Sequence, residues 1–137
     1  MSKILLKGRK VFGGCAEGEA LVTRETISGW GGIDPMTGVI VDLRHELAGK
    51  CIAGKVLVYR GAKGSSGWSA LFHEARLNGV APLAMVFNET TTKVALGAVV
   101  TRVPAVTDLD QDPTVVARTG DWIRVDGDAG IVEITKK

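Results

Sequence analysis

The sequence predicts a single α/β domain with more strand than helix. Three observations carry that expectation. Between Lys55 and Phe87, two short apolar runs flank a segment with helical periodicity, the signature of a β-α-β unit. From Gly120 to Ile134, apolar and polar residues alternate around Asp126-Gly127-Asp128, the signature of a hairpin. The chain has 137 residues, enough for one ordinary domain and too few for two, and no linker, low-complexity tract or internal repeat divides it. We therefore read residues 1–137 as one domain.

Each element follows from its local pattern. Ile4 to Phe12 alternates imperfectly and stops at Gly13-Gly14, which predicts a first strand and a turn. Glu17 to Thr23 predicts a second strand. Ile27 to Pro35 carries three glycines and predicts an irregular loop that brings backbone close to a ligand or a neighbouring chain. Gly38–Val41 and Lys55–Tyr59 are apolar and β-branched, and predict strands. Trp68, Leu71, Phe72 and Ala75 fall at i, i+3, i+4 and i+7, so a helix buries that stripe. Ser65 or Ser66 supplies its N-cap, and Asn78-Gly79 its stop. Pro82–Phe87 predicts a buried strand parallel to Lys55–Tyr59. Thr91–Val100 predicts a short helix and Val103–Val106 the next strand.

Composition removes several function classes. A hydrophobic fraction of 45% with 23% charged residues is that of a globular protein, which excludes disorder as the main state. Glycine is in excess, at 18 residues, but has no period of three and is joined by only 4 prolines, which excludes a collagen-like array. The net charge of +2 is dispersed, and no basic run is interleaved with aromatics, so no nucleic-acid partner is expected. No apolar run approaches the length of a membrane span, and Ile4-Leu5-Leu6 is too short for the core of a secretory leader. Cys15 and Cys51 are isolated, without CxxC spacing, and read as a reduced pair in a cytoplasmic protein that binds no metal itself.

Asp108, Asp110 and Asp112 have the rhythm of a calcium loop, but Pro113 stands where that loop needs glycine and Thr119 where it needs glutamate. They read as a solvated turn, as do Asp126 and Asp128. Gly64-Ser65-Ser66-Gly67 lacks the second glycine of a nucleophile elbow, which Trp68 replaces. His45, between Arg44 and Glu46, reads as a surface residue, and His73 lies off the apolar stripe of its helix.

One segment carries chemistry. Tyr59 to Ser69 runs from a strand through a loop with glycines at 61, 64 and 67 into a helix. Such a loop lets an anion reach backbone N–H groups, and the helix N-terminus and Lys63 add positive charge. A serine there has its alkoxide stabilised and is suited to act as a base. The competing reading makes Ser65 or Ser66 only an N-cap and the glycines only a tight turn. Residue chemistry alone leaves both open.

The order of segments GGCAEGEALVT, GGIDPMTGVIVD, AGKVLV, KGSS, NGVAPLAMVF and VPAVTD resembles the small subunit of the aconitase X family. Its Gly-Ser-Ser turn is similar to that of the swivelling domain of aconitases and isopropylmalate isomerases. The resemblance covers most of the chain. It implies a swivelling β/β/α domain that caps an active site housed mainly in a large subunit, the expected partner. It further implies a hydro-lyase whose iron–sulfur cluster lies in that large subunit and assists departure of the hydroxyl. Ser65 would remove the proton from the neighbouring carbon, and Ser66, Gly64 and Lys63 would hold the substrate's carboxylate or phosphate. The substrates the family implies are cis-3-hydroxy-L-proline and mevalonate 5-phosphate. Gly67 stands where aconitases carry a substrate-binding arginine, and Arg60 is the nearest substitute in sequence.

The segments ALGAVVTRVPAV and GDWIRVDGDAGIVEI also resemble the phosphohistidine domain of phosphoenolpyruvate-utilising enzymes. Thr92-Lys93-Val94 holds no histidine where that domain carries one, so the alternative is a non-catalytic binding module of the same fold.

Overall fold

A computed structural model describes residues 2–28, 32–63, 68–88 and 92–137. Its elements, in order, are β1 (Lys3–Lys7), β2 (Arg9–Phe12), β3 (Cys15–Val22), β4 (Ile27–Ser28), β5 (Val56–Tyr59), β6 (Ala62–Lys63), α1 (Trp68–Leu77), β7 (Ala84–Phe87), α2 (Thr92–Thr101), β8 (Ala105–Thr107), α3 (Pro113–Val116), β9 (Trp122–Asp126) and β10 (Ile131–Thr135). Eight strands form a mixed sheet in the order β1-β10-β9-β3-β5-β7-β8-β2, and β4 pairs with β6. The α/β class with more strand than helix is what the sequence predicts. Among the described residues no helix is long and apolar enough to cross a membrane.

The β-α-β unit is present as expected: β5 and β7 pair in parallel, with Val58 opposite Val86, and α1 connects them. These two strands are buried throughout because both sheet faces are covered. Leu57, Tyr59, Met85 and Phe87 face one core with Leu71 and Phe72 of α1, and α1 packs against α2. Val56, Val58, Ala84 and Val86 face a second core with Ile123, Val125, Val132 and Ile134 of the hairpin. The sheet therefore curls over itself, and the hairpin closes one core while the helices close the other. That hairpin pairs β9 with β10 in antiparallel register, Val125 opposite Val132.

Four expectations need correction. Ile4–Phe12 is two strands rather than one: β1 joins β10 and β2 joins β8, at opposite ends of the sheet. The chain divides at Gly8, where Gly8 N–H donates to Gly130 C=O at 2.8 Å and Asp110 holds both backbone groups of Lys7. Gly38–Val41 is not a strand. It makes only isolated bridges, Ile33 to Ile40 and Val39 to Cys51, and its apolar residues are explained by burial. Ile33, Ile40, Leu47 and Ile52 of this arch all reach the core beneath it. Conversely, Ile27–Ser28, expected to be loop, forms β4. Finally, the turn expected around Asp112 holds a short helix, α3. Asp112 accepts from Thr114 N–H at 2.9 Å as its N-cap, and Pro113 occupies its first turn, where a missing N–H costs nothing.

A cleft at the carboxyl ends of the parallel strands

Strands β3, β5, β7 and β8 run parallel, so their carboxyl ends lie along one edge, where open α/β sheets bind ligands. The residues that follow those strands are polar: Thr23-Arg24 after β3, Arg60 after β5, Asn88 after β7 and Asp108 after β8. Backbone bonds fix the first two together. Thr23 N–H donates to Val58 C=O at 2.9 Å, Arg60 N–H to Glu25 C=O at 3.3 Å, and Ile27 N–H to Gly61 C=O at 3.0 Å. The Thr23 hydroxyl accepts from Glu25 N–H at 3.0 Å, a turn that ends β3 and leaves Arg24 exposed.

Two adjoining cavities open there. The larger, about 530 Å³, is lined by Arg24, Ser28, Asp42, Arg44, His45 and Arg60 among others. The smaller, about 430 Å³, is lined by Arg24, Arg60, Asn88, Asp112, Thr114 and Val115. Arg24 and Arg60 line both, so they form the wall the cavities share.

The acidic groups of the cleft are engaged by neutral donors of the chain. Glu25 Oε2 accepts from Glu46 N–H at 2.8 Å and Asp42 Oδ1 from Arg44 N–H at 3.0 Å. Asp112 Oδ1 accepts from the Thr114 hydroxyl at 2.7 Å and from Asn88 Nδ2 at 2.8 Å. Burial pushes the Asp112 carboxyl up, but these bonds, with the charge of Arg24, outweigh it and hold the group below its usual value. Asn88 lines the smaller cavity, and its Oδ1 is buried without a hydrogen-bond partner among the described residues.

His45 corrects another expectation. It is buried, at 8% exposure, not a surface residue. Its Nε2 donates to Thr26 C=O at 3.2 Å, and its Nδ1 accepts from Leu47 N–H at 3.0 Å. Those two bonds put the proton on Nε2, so the 3.7 Å approach of Glu25 Oε2 to Nδ1 is not a hydrogen bond. His73 is exposed on α1, as expected.

Of the residues singled out in the sequence, Gly64, Ser65, Ser66 and Gly67 lie outside the described residues. Their flanks are described. Lys63 is the last residue of β6, where it is paired with Ser28 of the larger cavity, and α1 begins at Trp68. Lys63, the residue before that segment, therefore sits at the edge of the cleft. The acidic triplet disperses to separate structural partners. Asp108 pairs with Arg9 at 2.8 Å, Asp110 accepts from Lys7 N–H, and Asp112 caps α3.

Among the described residues no three His, Cys, Asp or Glu side chains come together to hold a metal ion. Cys15 and Cys51 are both free thiols, one exposed on β3 and one in the arch donating to Thr37 C=O at 3.5 Å. These groups do not fit an iron–sulfur cluster.

Sequence reasoning missed Arg24, Arg44, Asn88 and the capping role of Asp112. The usable signal was position: each of Arg24, Arg60, Asn88 and Asp108 closely follows an apolar strand run.

A strand-dominated α/β domain with a cationic cleft at its strand ends is a ligand-binding class. Comparison with known proteins makes it specific. The family model described as the aconitase X swivel domain matches residues 5–134, and the chain belongs to that family. It is 43% identical over 136 residues to the phosphomevalonate dehydratase small subunit of Methanosarcina acetivorans, covering 99% of this chain and 94% of that one. It is 43% identical over 129 residues to the protein of the same name from Thermococcus kodakarensis, covering 94% and 95%. A crystal structure of Thermococcus kodakaraensis aconitase X in its holo-form superposes with a TM-score of 0.91 at 41% identity, over 97% of this chain and 99% of that one.

Proposed function

We propose that this chain is the small subunit of a phosphomevalonate dehydratase, a hydro-lyase active only with a large subunit. The observation that carries the reading is 43% identity to a small subunit of that name across nearly the full length of both chains. The substrate is then mevalonate 5-phosphate, a 3-hydroxy acid, rather than cis-3-hydroxy-L-proline. Arg24, Arg44 and Arg60 line the larger cavity beside Glu25 and Asp42, a net positive lining that agrees with an anionic ligand.

In the proposed chemistry, Ser65 takes a proton from the carbon between the carboxylate and the hydroxyl-bearing carbon. The electrons of that C–H bond form the double bond as the C–O bond breaks, and the elements of water leave. Two features favour a basic serine at that place: the N-terminus of α1, which begins three residues later, and the ammonium of Lys63. Gly64 and Ser66 offer a backbone N–H and a hydroxyl to the substrate's acidic end. The cluster implied by the resemblance is assigned to the large subunit, and none of the steps assigned to this chain runs through it.

The test is reconstitution with the large subunit, assayed with mevalonate 5-phosphate and with cis-3-hydroxy-L-proline. Dehydration of the first is expected. Ser65→Ala should abolish turnover while the two subunits still co-elute. Near-normal turnover in that variant overturns the serine assignment, and turnover of the hydroxyproline alone overturns the substrate. A chain that copurifies with no large subunit is a binding module instead.

A further inference from the structure

We propose that Asn78-Gly79, at the carboxyl end of α1, is a site of spontaneous deamidation that the arch holds shut, so that local release of this contact sets the rate of the reaction. The inference stands apart from the dehydratase reading and concerns covalent modification of the chain itself.

The residue pair carries the chemistry. Asn78 and Asn88 are the two asparagines of the chain, and only Asn78 is followed by glycine. The backbone nitrogen of the next residue can attack the side-chain amide carbon of an asparagine, and glycine puts no side chain in the way. Here Gly79 N bonds to Asn78 Cγ, the Cγ–Nδ2 bond breaks, and ammonia leaves with the proton of the Gly79 N–H. The cyclic imide so formed takes up water at either of its carbonyls, which leaves aspartate or isoaspartate at position 78. No oxidant or reductant enters. Crowding does not oppose the reaction, since Asn78 and Gly79 are both exposed and open space lies where a Gly79 Cβ would point.

Hydrogen bonds oppose it instead, on both reacting groups. Gly79 N–H, which carries the nucleophile, donates to Arg76 C=O at 3.0 Å, and Val80 N–H donates to Ala75 C=O at 2.9 Å. With Gly79 at φ +74°, these are the paired bonds that close a helix at a left-handed glycine. The leaving amide is tied elsewhere. Asn78 Nδ2 donates to Pro35 C=O at 2.9 Å and lies 3.6 Å from Met36 Sδ. Pro35 and Met36 belong to a turn of the arch that Asp34 orders: its Oδ1 accepts from Met36 N–H at 2.9 Å, and its C=O accepts from Gly38 N–H at 2.7 Å. One reacting group is therefore held by the last turn of α1 and the other by the arch. The modification is also one-way in its effect. A carboxylate at position 78 has no proton to give Pro35 C=O, so the tie between α1 and the arch is lost with the amide.

The experiment ages the full chain at mildly alkaline pH, folded and in urea, and follows the amide-to-acid mass gain at position 78 by peptide mapping. Asp126-Gly127 can form the same imide, but it loses and regains water and so adds no mass. At matched pH and temperature the unfolded chain should deamidate at position 78 about tenfold faster or more than the folded one, the order expected when reaction waits on local opening. Asp34→Ala loosens the turn that carries Pro35 and should speed the folded chain about threefold or more, with no change in urea. Asp112→Ala destabilises the far end of the parallel strands, where Asp112 holds Asn88 after β7, whereas Asn78-Gly79 precedes that strand. It should leave the folded rate within about twofold. Circular dichroism checks that each variant is folded.

Equal rates for folded and unfolded chain overturn the proposal, because the contacts then protect nothing. So does an unfolded chain that keeps its amide at position 78, since the pair is then unreactive. Asp34→Ala without acceleration, or with no more than Asp112→Ala gives, removes the arch from the account and leaves global unfolding as the route.

Discussion

Lys136 Nζ lies 2.6 Å from Oδ2 of Asp121, a carboxylate only 3% exposed just before β9, and this pair ties the end of the chain to the start of the hairpin. Asp121 also accepts from Arg118 N–H at 2.9 Å and Lys137 N–H at 3.1 Å. Burial pushes its carboxyl up, but these donors and the lysine charge outweigh it and hold the group below its usual value. A carboxyl lowered by folding contributes stability above its unfolded value, about pH 4, and loses it as pH falls through the folded one. Asp121→Asn should cost about 2–3 kcal/mol at pH 7, since it leaves a buried network short of its charge. The gap to the original chain should narrow below about pH 4, as urea denaturation over a pH series would show.

Tyr59 is the single tyrosine of the chain and is fully buried, 5.8 Å from the ring of Phe87. Burial raises its phenol far above the ordinary value. The neutral form is thus favoured by folding, and that contribution is present below about pH 10 and lost as pH rises beyond it. Absorbance of the phenolate near 295 nm should appear only with unfolding, in step with loss of circular dichroism. A smooth titration near pH 10 in the folded chain would contradict the burial.

Two glycines should respond differently to alanine. Gly79 ends α1 at φ +74°, with open space where a Cβ would point, so the left-handed backbone alone sets a cost of about 1–2 kcal/mol. Gly127 begins the hairpin turn and lies against the link between β2 and β3. A Cβ there would run into the backbone oxygen of Phe12, while Gly127 N–H already donates to Gly14 C=O at 2.7 Å. Neither backbone can yield easily, so Gly127→Ala should cost about 3 kcal/mol or more. Thermal melts should rank the two in that order.

Asp112→Ala removes both the cap of α3 and the partner of Asn88 Nδ2. The expected loss is about 1–2 kcal/mol, or roughly 3–8 °C in Tm for a domain of this size. Asp112→Asn keeps an acceptor for Thr114 and should lose less. Equal losses would show that the charge, rather than the capping oxygen, does the holding.

Local pattern made much of the fold legible. The stripe Trp68, Leu71, Phe72 and Ala75, the runs at 56–59 and 84–87, and the alternation from 122 to 135 each record a period and a burial preference on their own residues. Where burial and strand formation separate, pattern misleads: Val39, Ile40 and Val41 look like strand, yet the arch places Ile40 in the core without a ladder. His45 failed for a similar reason. Its polar neighbours suggested solvent, but Leu47, two residues on, and Thr26, 19 residues back, supply a partner for each ring nitrogen, and the second depends on how the arch packs against the end of β3.

The sequence by itself determined the α/β class, the β-α-β unit and the closing hairpin, because each depends on residues near one another along the chain. The tertiary structure decided that Ile4–Phe12 would divide between the two opposite edge strands of one curled sheet, and that Arg24 and Arg60, 36 positions apart, would share a wall. The physical reason is parallel pairing. Only when β3 lies beside β5 do the residues after each strand emerge at one edge, and no local period encodes which strands become neighbours.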